Sequence, residues 1–468
     1  MDKLPAEIIH LIISHLEPPL AGYATVSSRW QDAIESHTLR SIGASSDDAS
    51  FGQFQAVFAT PRRRALLRKL VFHVQLPPPS EKRIRKLQSR REAAANNLAY
   101  TRALVALFSY LHTWEHEEGA ARLALEVSVS SPMDNYDGDD KGHRGVPIWF
   151  IRDQLRQVSV DTDVLRESGG LATVRVVSGL TNYHHIGLGC GRRVDPAVMP
   201  LVTKALPNAR EMNWAFSALP RRFPDLRRAE RMSLANALFA TAAADIRLLT
   251  TLQISWEDRA PCNEASDPGS LVDGASSRDD LSIALRRISQ LPSLRSLKLT
   301  GSHTIGAQLF EDQNVSPDHG APTWPSLTNL EIWASVTTPD GRWYFTGDPS
   351  SAEFIDQQQD DSDESVAAFD SADADTSDFA PDFAWEREDG MVPWRVFRTT
   401  PDCAIFVPFM VSMLRAVARM PVLRHLTFCM QLESRIGVYL DYFGPGEPRK
   451  GPVVGLEPAF HKAHLEQF

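Results

Sequence analysis

The chain has 468 residues, of which 43% are hydrophobic and 23% charged, a balance that is ordinary for a protein with a large buried core. The net charge of −10 is concentrated, because residues 351–390 contain 14 acidic residues and one basic residue, Arg387, so the remainder is slightly basic. Four widely spaced cysteines without a Cys-x-x-Cys pair indicate neither a disulfide framework nor a zinc ribbon.

The sequence contains no segment that predicts export or membrane insertion. Its N-terminus lacks the basic region and uninterrupted apolar run of a signal peptide. The longest apolar stretch, from Ala404 to Leu414, contains Pro408 and is shorter than the roughly 18–20 residues that span a bilayer. We therefore expect a soluble intracellular protein without a membrane partner, in the nucleus or the cytoplasm.

The first predicted element is a short helix near the N-terminus. Pro5 suits the first helical position, and Glu7 adds negative charge at the positive end of the helix dipole. Pro18 and Pro19 end the helix. Between these limits, one wide apolar face is predicted from Ile8, Ile9, Ile12, Ile13 and Leu16.

Two further short helices are predicted before residue 40. Ser27 or Ser28 is the expected N-cap of the last one. The apolar residues of this stretch are Leu20, Tyr23, Ala24, Val26, Trp30, Ala33 and Ile34. A unit of about 40 residues rarely folds alone without a metal, a disulfide or a partner. One face is therefore expected to pack against another protein, and the alternative is a helical hairpin docked on its own domain.

Residues 1–45 resemble an F-box. The family's pattern is matched in order by Leu4, Pro5, Glu7, Ile8, Ile9, Ile12, Leu16, Val26, Ser27 and Trp30. The resemblance implies binding to the Skp adaptor and, through it, to a cullin in an SCF-type ubiquitin ligase. It gives as adaptor-binding residues Leu4, Pro5, Ile8, Ile9, Ile12, Leu16, Val26 and Trp30. Many members end the motif with Leu-Trp, whereas this chain has Thr38 and Leu39.

A short phrase of the form apolar-Pro-x-Leu-x-x-Leu-x-apolar recurs along the rest of the chain. It begins at Leu206, Leu291, Trp324 and Met420, with Ala209 and Met212 as substitutes in the first copy. In each copy a helix is expected to end at the Pro, and the spaced Leu residues lead into a strand. This pattern is similar to leucine-rich repeats, in which each strand-plus-helix unit buries its face by stacking on a neighbour.

The repeat is irregular and longer than the usual 20–29 residues. Weaker strand candidates begin at Leu67, Leu123, Leu171 and Leu249. We therefore predict an α/β fold in which the F-box is followed by an irregular leucine-rich-repeat-like α/β solenoid. The solenoid is placed at residues 46–350, and a last repeat with a C-terminal tail at 391–468. This organisation resembles filamentous-fungal F-box proteins.

Residues 351–390 are predicted to form a disordered acidic insert, because their hydrophobicity is low and Asp and Ser recur. A solvated, self-repelling loop is the favoured interpretation. The alternative is an acidic docking arm whose aromatic residues bind a partner; these are Phe369, Phe379, Phe383 and Trp385.

Two other motifs have residue patterns found in metal sites or nucleic-acid-binding sites. His112, Glu115 and His116 have the H-x-x-E-H spacing of inverted zinc peptidases, but no third ligand can be placed, and a solvated helix end is favoured. The basic run from Arg62 to Arg91 contains one aromatic residue, Phe72, so it lacks the aromatics that stack nucleic-acid bases. No catalytic residue, metal, cofactor or nucleic-acid partner is expected.

The sequence thus predicts a non-catalytic substrate-recognition subunit of an SCF-type ubiquitin ligase, which binds Skp through the F-box and a target protein through the solenoid. One alternative is an F-box scaffold protein that acts outside any ligase. A metal-dependent hydrolase is the least favoured alternative. No motif identifies the target protein.

Overall fold

The structure, a computed structural model, shows an α/β protein with a large, mostly parallel sheet. It describes residues 4–17, 20–79, 88–114, 122–132, 157–182, 192–244, 246–258, 260–272, 278–311, 323–354, 389–391, 395–431 and 437–447. The chain divides into two compact units. Most of the predicted acidic insert, residues 355–388, lies outside the described residues, as do Pro18 and Pro19.

The first unit consists of Met1–Phe216 and Ala240–Gln253. Its helices are α1 (Ala6–Ser14), α2 (Ser28–Thr38), α3 (Asp48–Val57), α4 (Pro61–Arg64), α5 (Arg90–His112), α6 (Thr162–Glu167) and α7 (Val198–Ala205), with a 3₁₀-helix at Leu20–Thr25. Its strands are β1 (Ser41–Ser45), β2 (Lys69–Gln75), β3 (Leu123–Ser130), β4 (Gln157–Val158), β5 (Val177–Asn182), β6 (Arg193–Val194) and β7 (Glu211–Ser217).

Neighbouring strands of the first unit follow the chain order β1-β2-β3-β5-β7, and each pair is parallel. Leu70, Phe72 and Val74 of β2 alternate with more exposed residues, because successive side chains of a strand point to opposite faces. The same alternation runs along β3 and β7. One face of this sheet therefore forms the apolar core, and the other is polar and partly exposed.

The second unit consists of Ser217–Phe239 and Ile254–Phe468. Its helices are α8 (Pro224–Ala243), α9 (Asp280–Ser289) and α10 (Phe406–Val417). Its strands are β8 (Thr251–Glu257), β9 (Ser296–His303), β10 (Asn329–Ala334), β11 (Phe345–Thr346), β12 (Glu353–Phe354), β13 (Arg395–Val396), β14 (Thr400–Pro401), β15 (His425–Gln431) and β16 (Gly437–Phe443). The last turn of α8 and the first three residues of β8 are counted with the first unit.

In the second unit, β9, β10 and β15 are parallel neighbours, and β16 pairs antiparallel with β15. The core contains an ionic cluster besides its apolar residues. Arg231 and Asp279 form a salt bridge at 2.7 Å with side chains 5% and 3% exposed, and Arg227 pairs with Asp258 at 2.7 Å. Arg231 also donates to the carbonyl oxygen of Thr304 at 2.7 Å.

The structure confirms most of the predicted strands. The four recurring phrases lead into β7, β9, β10 and β15, in that order. The weaker strand candidates that begin at Leu67, Leu123 and Leu249 correspond to β2, β3 and β8. The strand predicted from Leu171 is wrong, since β5 begins at Val177. Instead, Val174 is fully buried outside β5, where its N–H donates to the carbonyl oxygen of Ala205 at 2.8 Å.

Candidate functional site: the N-terminal helices

Local sequence signals define the ends of α1 and α2. Pro5 is the N-cap of α1, so the helix begins one residue later than the prediction, which put Pro5 at the first helical position. Ser27 is the N-cap of α2, and its hydroxyl accepts the N–H of Trp30 at 3.5 Å. The 3₁₀-helix lies between them, so residues 4–39 contain three helical segments, as predicted.

Most of the apolar residues in this segment form a small core. The buried members are Ile9, Ile13, Trp30, Ala33 and Ile34. Partly buried residues pack against them: Leu4, Ile12, Leu16, Leu20 and Ala24. These residues come from all three helical segments, so the core holds α1, the 3₁₀-helix and α2 together.

Five further apolar residues of this segment face outward. Ile8 is 41% and Val26 51% exposed, and Pro5 is also exposed. Leu11 and Tyr23, which the sequence did not assign to the site, are 56% and 42% exposed. We call these five residues the outer apolar set. Exposing aliphatic and aromatic side chains together on so small a unit is characteristic of an interaction surface.

The structure thus sorts the eight predicted adaptor-binding residues into three groups. Ile9 and Trp30 belong to the core, Leu4, Ile12 and Leu16 line its edge, and Pro5, Ile8 and Val26 are exposed. The last group offers the largest exposed surface to a partner. Leu11 could have been found from the sequence, because it lies three residues after Ile8 and so on a neighbouring position of the helix surface.

Charged residues join α2 to α4. Arg63 donates to Oε1 of Glu35 at 2.9 Å, and Arg62 lies 3.2 Å from Oε2 of the same carboxylate. Arg62 also pairs with Asp32. Beside these pairs lies a groove of about 420 Å³, lined by Ile9, Arg29, Asp32, Ala33, Ser36, Arg62 and Leu66.

The Glu35 carboxylate makes this junction sensitive to pH. Burial raises the pKa of Glu35, but hydrogen bonds from Arg63 and Gln31 and the charges of Arg63 and Arg62 outweigh burial, so the pKa is lowered. A carboxylate whose pKa is lower in the folded state stabilises the fold at pH values above its unfolded-state pKa. This stabilisation is lost as the pH falls through the folded-state pKa. We expect proteolysis within α2 to accelerate as pH falls below about 4.3, the ordinary glutamate pKa.

The control for this pH effect is Glu35→Gln, which removes the titrating group and keeps the shape of the side chain. Its proteolysis rate should be higher than that of the natural chain near neutral pH and should change less on acidification. Identical pH profiles for the two proteins would show that Glu35 does not control the junction.

Of the H-x-x-E-H motif, only His112 lies within the residues that the structure describes. Nδ1 of His112, at the end of α5, lies 2.7 Å from the carbonyl oxygen of Thr173, whereas Glu115 and His116 lie outside the described residues. Within the described ranges, no group of three His, Cys, Asp or Glu residues is arranged to hold a metal ion.

Each unit also presents the polar face of its sheet. In the first unit, Lys69 forms a salt bridge with Glu126 at 2.7 Å, and Nδ1 of His73 lies 3.0 Å from Oγ of Ser128. Parallel sheets are usually covered on both faces. A partly exposed parallel sheet therefore offers a surface on which another molecule can bind.

No model of a known protein family matches the chain, and neither a curated protein nor a solved structure matches it. Among the described helices, none combines the length and apolar composition needed to cross a bilayer. The function is therefore argued from the N-terminal motif and from the surfaces described above.

Proposed function

We propose that this chain is a substrate-recognition subunit of an SCF-type cullin ubiquitin ligase. Its N-terminal helices would act as an F-box that binds the Skp adaptor, and the rest of the chain as a leucine-rich-repeat-like solenoid that binds a target protein. The observation that carries the proposal is the division of the F-box motif into a buried half around Ile9 and Trp30 and an exposed half that includes Ile8 and Val26.

The outer apolar set supports adaptor binding because its exposure is costly without a partner. Fully burying a large apolar side chain is worth roughly 1.5–3 kcal/mol, and a half-exposed side chain has about half of that still to gain. Several such side chains from α1 and the segment before α2 can therefore supply the apolar centre of a protein interface.

The strand order supports the solenoid. Within the first unit, sheet neighbours follow the chain order, and every pair is parallel. Crossovers between parallel strands are right-handed in nearly all proteins, so steps that always run in one direction put the connecting helices on one face of the sheet. The other face stays open, which agrees with the partly exposed polar residues of β2 and β3.

The mechanism is proximity, and no residue of this chain has to react. The F-box holds the adaptor and cullin, the solenoid holds the target, and the assembly raises the effective concentration of the target near the ubiquitin carrier. A scaffold that acts outside any ligase would bind the adaptor equally but would not promote ubiquitin transfer to proteins bound with it.

The test is co-purification of the Skp adaptor with Ile8→Asp and Val26→Asp variants. Each carboxylate would be desolvated at the adaptor interface without an opposite charge, so we expect affinity to fall by at least about tenfold. Because both side chains are exposed in the free chain, its melting temperature should hardly change.

Leu226→Asp is the matched control, since Leu226 is 52% exposed but lies on α8 in the second unit. It should co-purify the adaptor as the natural chain does. Undiminished adaptor binding by both Ile8→Asp and Val26→Asp would refute the F-box assignment. If adaptor binding holds but the reconstituted ligase never ubiquitinates a co-bound protein, the scaffold alternative is favoured.

A further inference from the structure

The polar sheet face of the second unit has an ordered chemical pattern across β10, β15 and β16. Glu331, Thr427 and Asp441 are direct neighbours in register and form one row across the three strands. Adjacent strands are about 4.8 Å apart, so the backbone positions of Glu331 and Asp441, at the ends of the row, are separated by about 10 Å. Their side chains are 31% and 25% exposed.

Hydrogen bonds hold both carboxylates in place. The indole N–H of Trp333 donates to Oε1 of Glu331 at 3.0 Å. The Thr427 hydroxyl donates to Oδ1 of Asp441 at 2.8 Å, and the Tyr439 hydroxyl donates to Oδ2 at 2.7 Å. A carboxylate oxygen has two lone pairs, so each group can accept further hydrogen bonds from a bound molecule.

Aromatic residues flank the acidic row on both sides. On one side, Trp333 and Tyr439 are both register neighbours of Cys429, and Tyr439 is 36% exposed. On the other side, the rings of His425 and Phe443 stack with centroids 5.1 Å apart. The face therefore combines fixed negative charge with aromatic surfaces, which together favour a planar cation.

Lys298 of β9 is the register neighbour of Glu331, and its ammonium group lies 3.5 Å from Oε2. It offsets part of the charge of that carboxylate. Among the described residues, the basic group paired with Asp441 is the imidazole Nε2 of His425, at 3.6 Å. Phosphate groups would meet Asp441 and Glu331 as like charges. Charge complementarity thus selects a cationic occupant over a nucleic acid.

We propose that this face, formed by Glu331, Trp333, Thr427, Tyr439 and Asp441, binds an arginine-bearing segment of the target protein. A guanidinium can donate two parallel hydrogen bonds to a carboxylate and stack on an aromatic ring at the same time, which an ammonium cannot. The inference rests on the proposed function only in taking the occupant to be the target, because the face is formed by other residues than those of the N-terminal helices.

The test measures binding of a fluorescein-labelled, arginine-containing peptide to the full chain at physiological ionic strength. Peptides of the same length with lysine or glutamate in place of arginine are the comparison probes. We expect the affinity order arginine, lysine, glutamate. Glu331→Gln combined with Asp441→Asn should weaken arginine-peptide binding by about tenfold or more, since both changes keep side-chain shape and remove the charge.

Glu211→Gln is the matched control, because Glu211 is an exposed carboxylate on β7 of the first unit. It should bind the arginine peptide like the natural chain. The acidic residues of 351–390 are present in every variant, so their non-specific attraction for the peptide cancels in the comparison. Thr427→Lys is a second variant that puts a cation in the centre of the row and should also weaken binding.

Failure of the arginine peptide to bind, or equal binding by the natural chain and both face variants, would overturn the inference. Stronger binding of the glutamate peptide or of a single-stranded oligonucleotide at this face would do the same. Co-purification of the adaptor is measured on the same proteins. If the adaptor binds and the arginine peptide does not, only this inference is refuted. If the arginine peptide binds and the adaptor does not, only the F-box assignment is refuted.

Discussion

Replacing Arg231 by Ala is expected to lower the free energy of unfolding of the second unit by about 3–5 kcal/mol. The guanidinium donates to both carboxylate oxygens of Asp279 and to the carbonyl oxygen of Thr304, and both charged side chains are at most 5% exposed. Removing Arg231 leaves the Asp279 carboxylate buried without its main counter-ion. Asp279 is also the N-cap of α9, so the loss should reach that helix.

Arg228→Ala on the same helix is the control for Arg231→Ala. Arg228 pairs with Asp225, whose side chain is 88% exposed, and exposed pairs contribute about 0–1 kcal/mol. The measurement is urea unfolding followed by tryptophan fluorescence, with hydrogen exchange in α9 as a local readout. Similar losses for the two variants would mean that the buried pair is not a major source of stability.

The ionic cluster could not be predicted from the sequence. The residues that pair, Arg227 with Asp258 and Arg231 with Asp279, are far apart along the chain. Their spacing in the sequence does not indicate that they form ion pairs. One signal was present. Arg227 and Arg231 share a helical stripe with Leu234, which is fully buried, so a strict periodicity argument would have placed both arginines inward.

Strands were predicted well where apolar residues alternate and a Pro-x-Leu phrase precedes them, as at Leu297 and Leu426. The stretch from Leu171 failed because β-branched residues such as Val174 indicate a half-buried environment and not specifically a strand. β5 instead contains Gly179 and Asn182, which have low strand propensity. Pairing with β3 decides its position, and single-sequence reasoning does not contain that information.

At the N-terminal helices, the motif could not separate the residues that face the core from those that face outward. Ile8 and Ile9 are adjacent aliphatic residues that match the same pattern, yet Ile8 is 41% and Ile9 1% exposed. Which residue of the pair faces inward depends on how α1 packs against α2, a tertiary contact. The distinction matters for mutagenesis, because a change at exposed Ile8 tests adaptor binding, whereas a change at buried Ile9 tests the stability of the helices.

Trp30→Ala is therefore expected to differ in kind from Ile8→Asp. Trp30 is 5% exposed in the centre of the N-terminal core, and truncating a buried Trp costs about 3–5 kcal/mol. A core with so few buried residues has too little other stabilising free energy to stay folded after this loss. Hydrogen exchange should therefore become fast throughout α1 and α2. Adaptor binding should then fall because the helices unfold, whereas Ile8→Asp should lose binding with exchange unchanged.

Trp30→Phe separates ring packing from polar contacts. The Trp30 indole N–H is buried and has no hydrogen-bond partner among the described residues, so replacing it with Phe removes no hydrogen bond and leaves an aromatic ring in the core. We expect this variant to keep most of the exchange protection and measurable adaptor affinity. If Trp30→Ala instead kept slow exchange in α1 and α2 while losing the adaptor, Trp30 would be a direct contact residue, and the division of the motif into a buried and an exposed half would have to be abandoned.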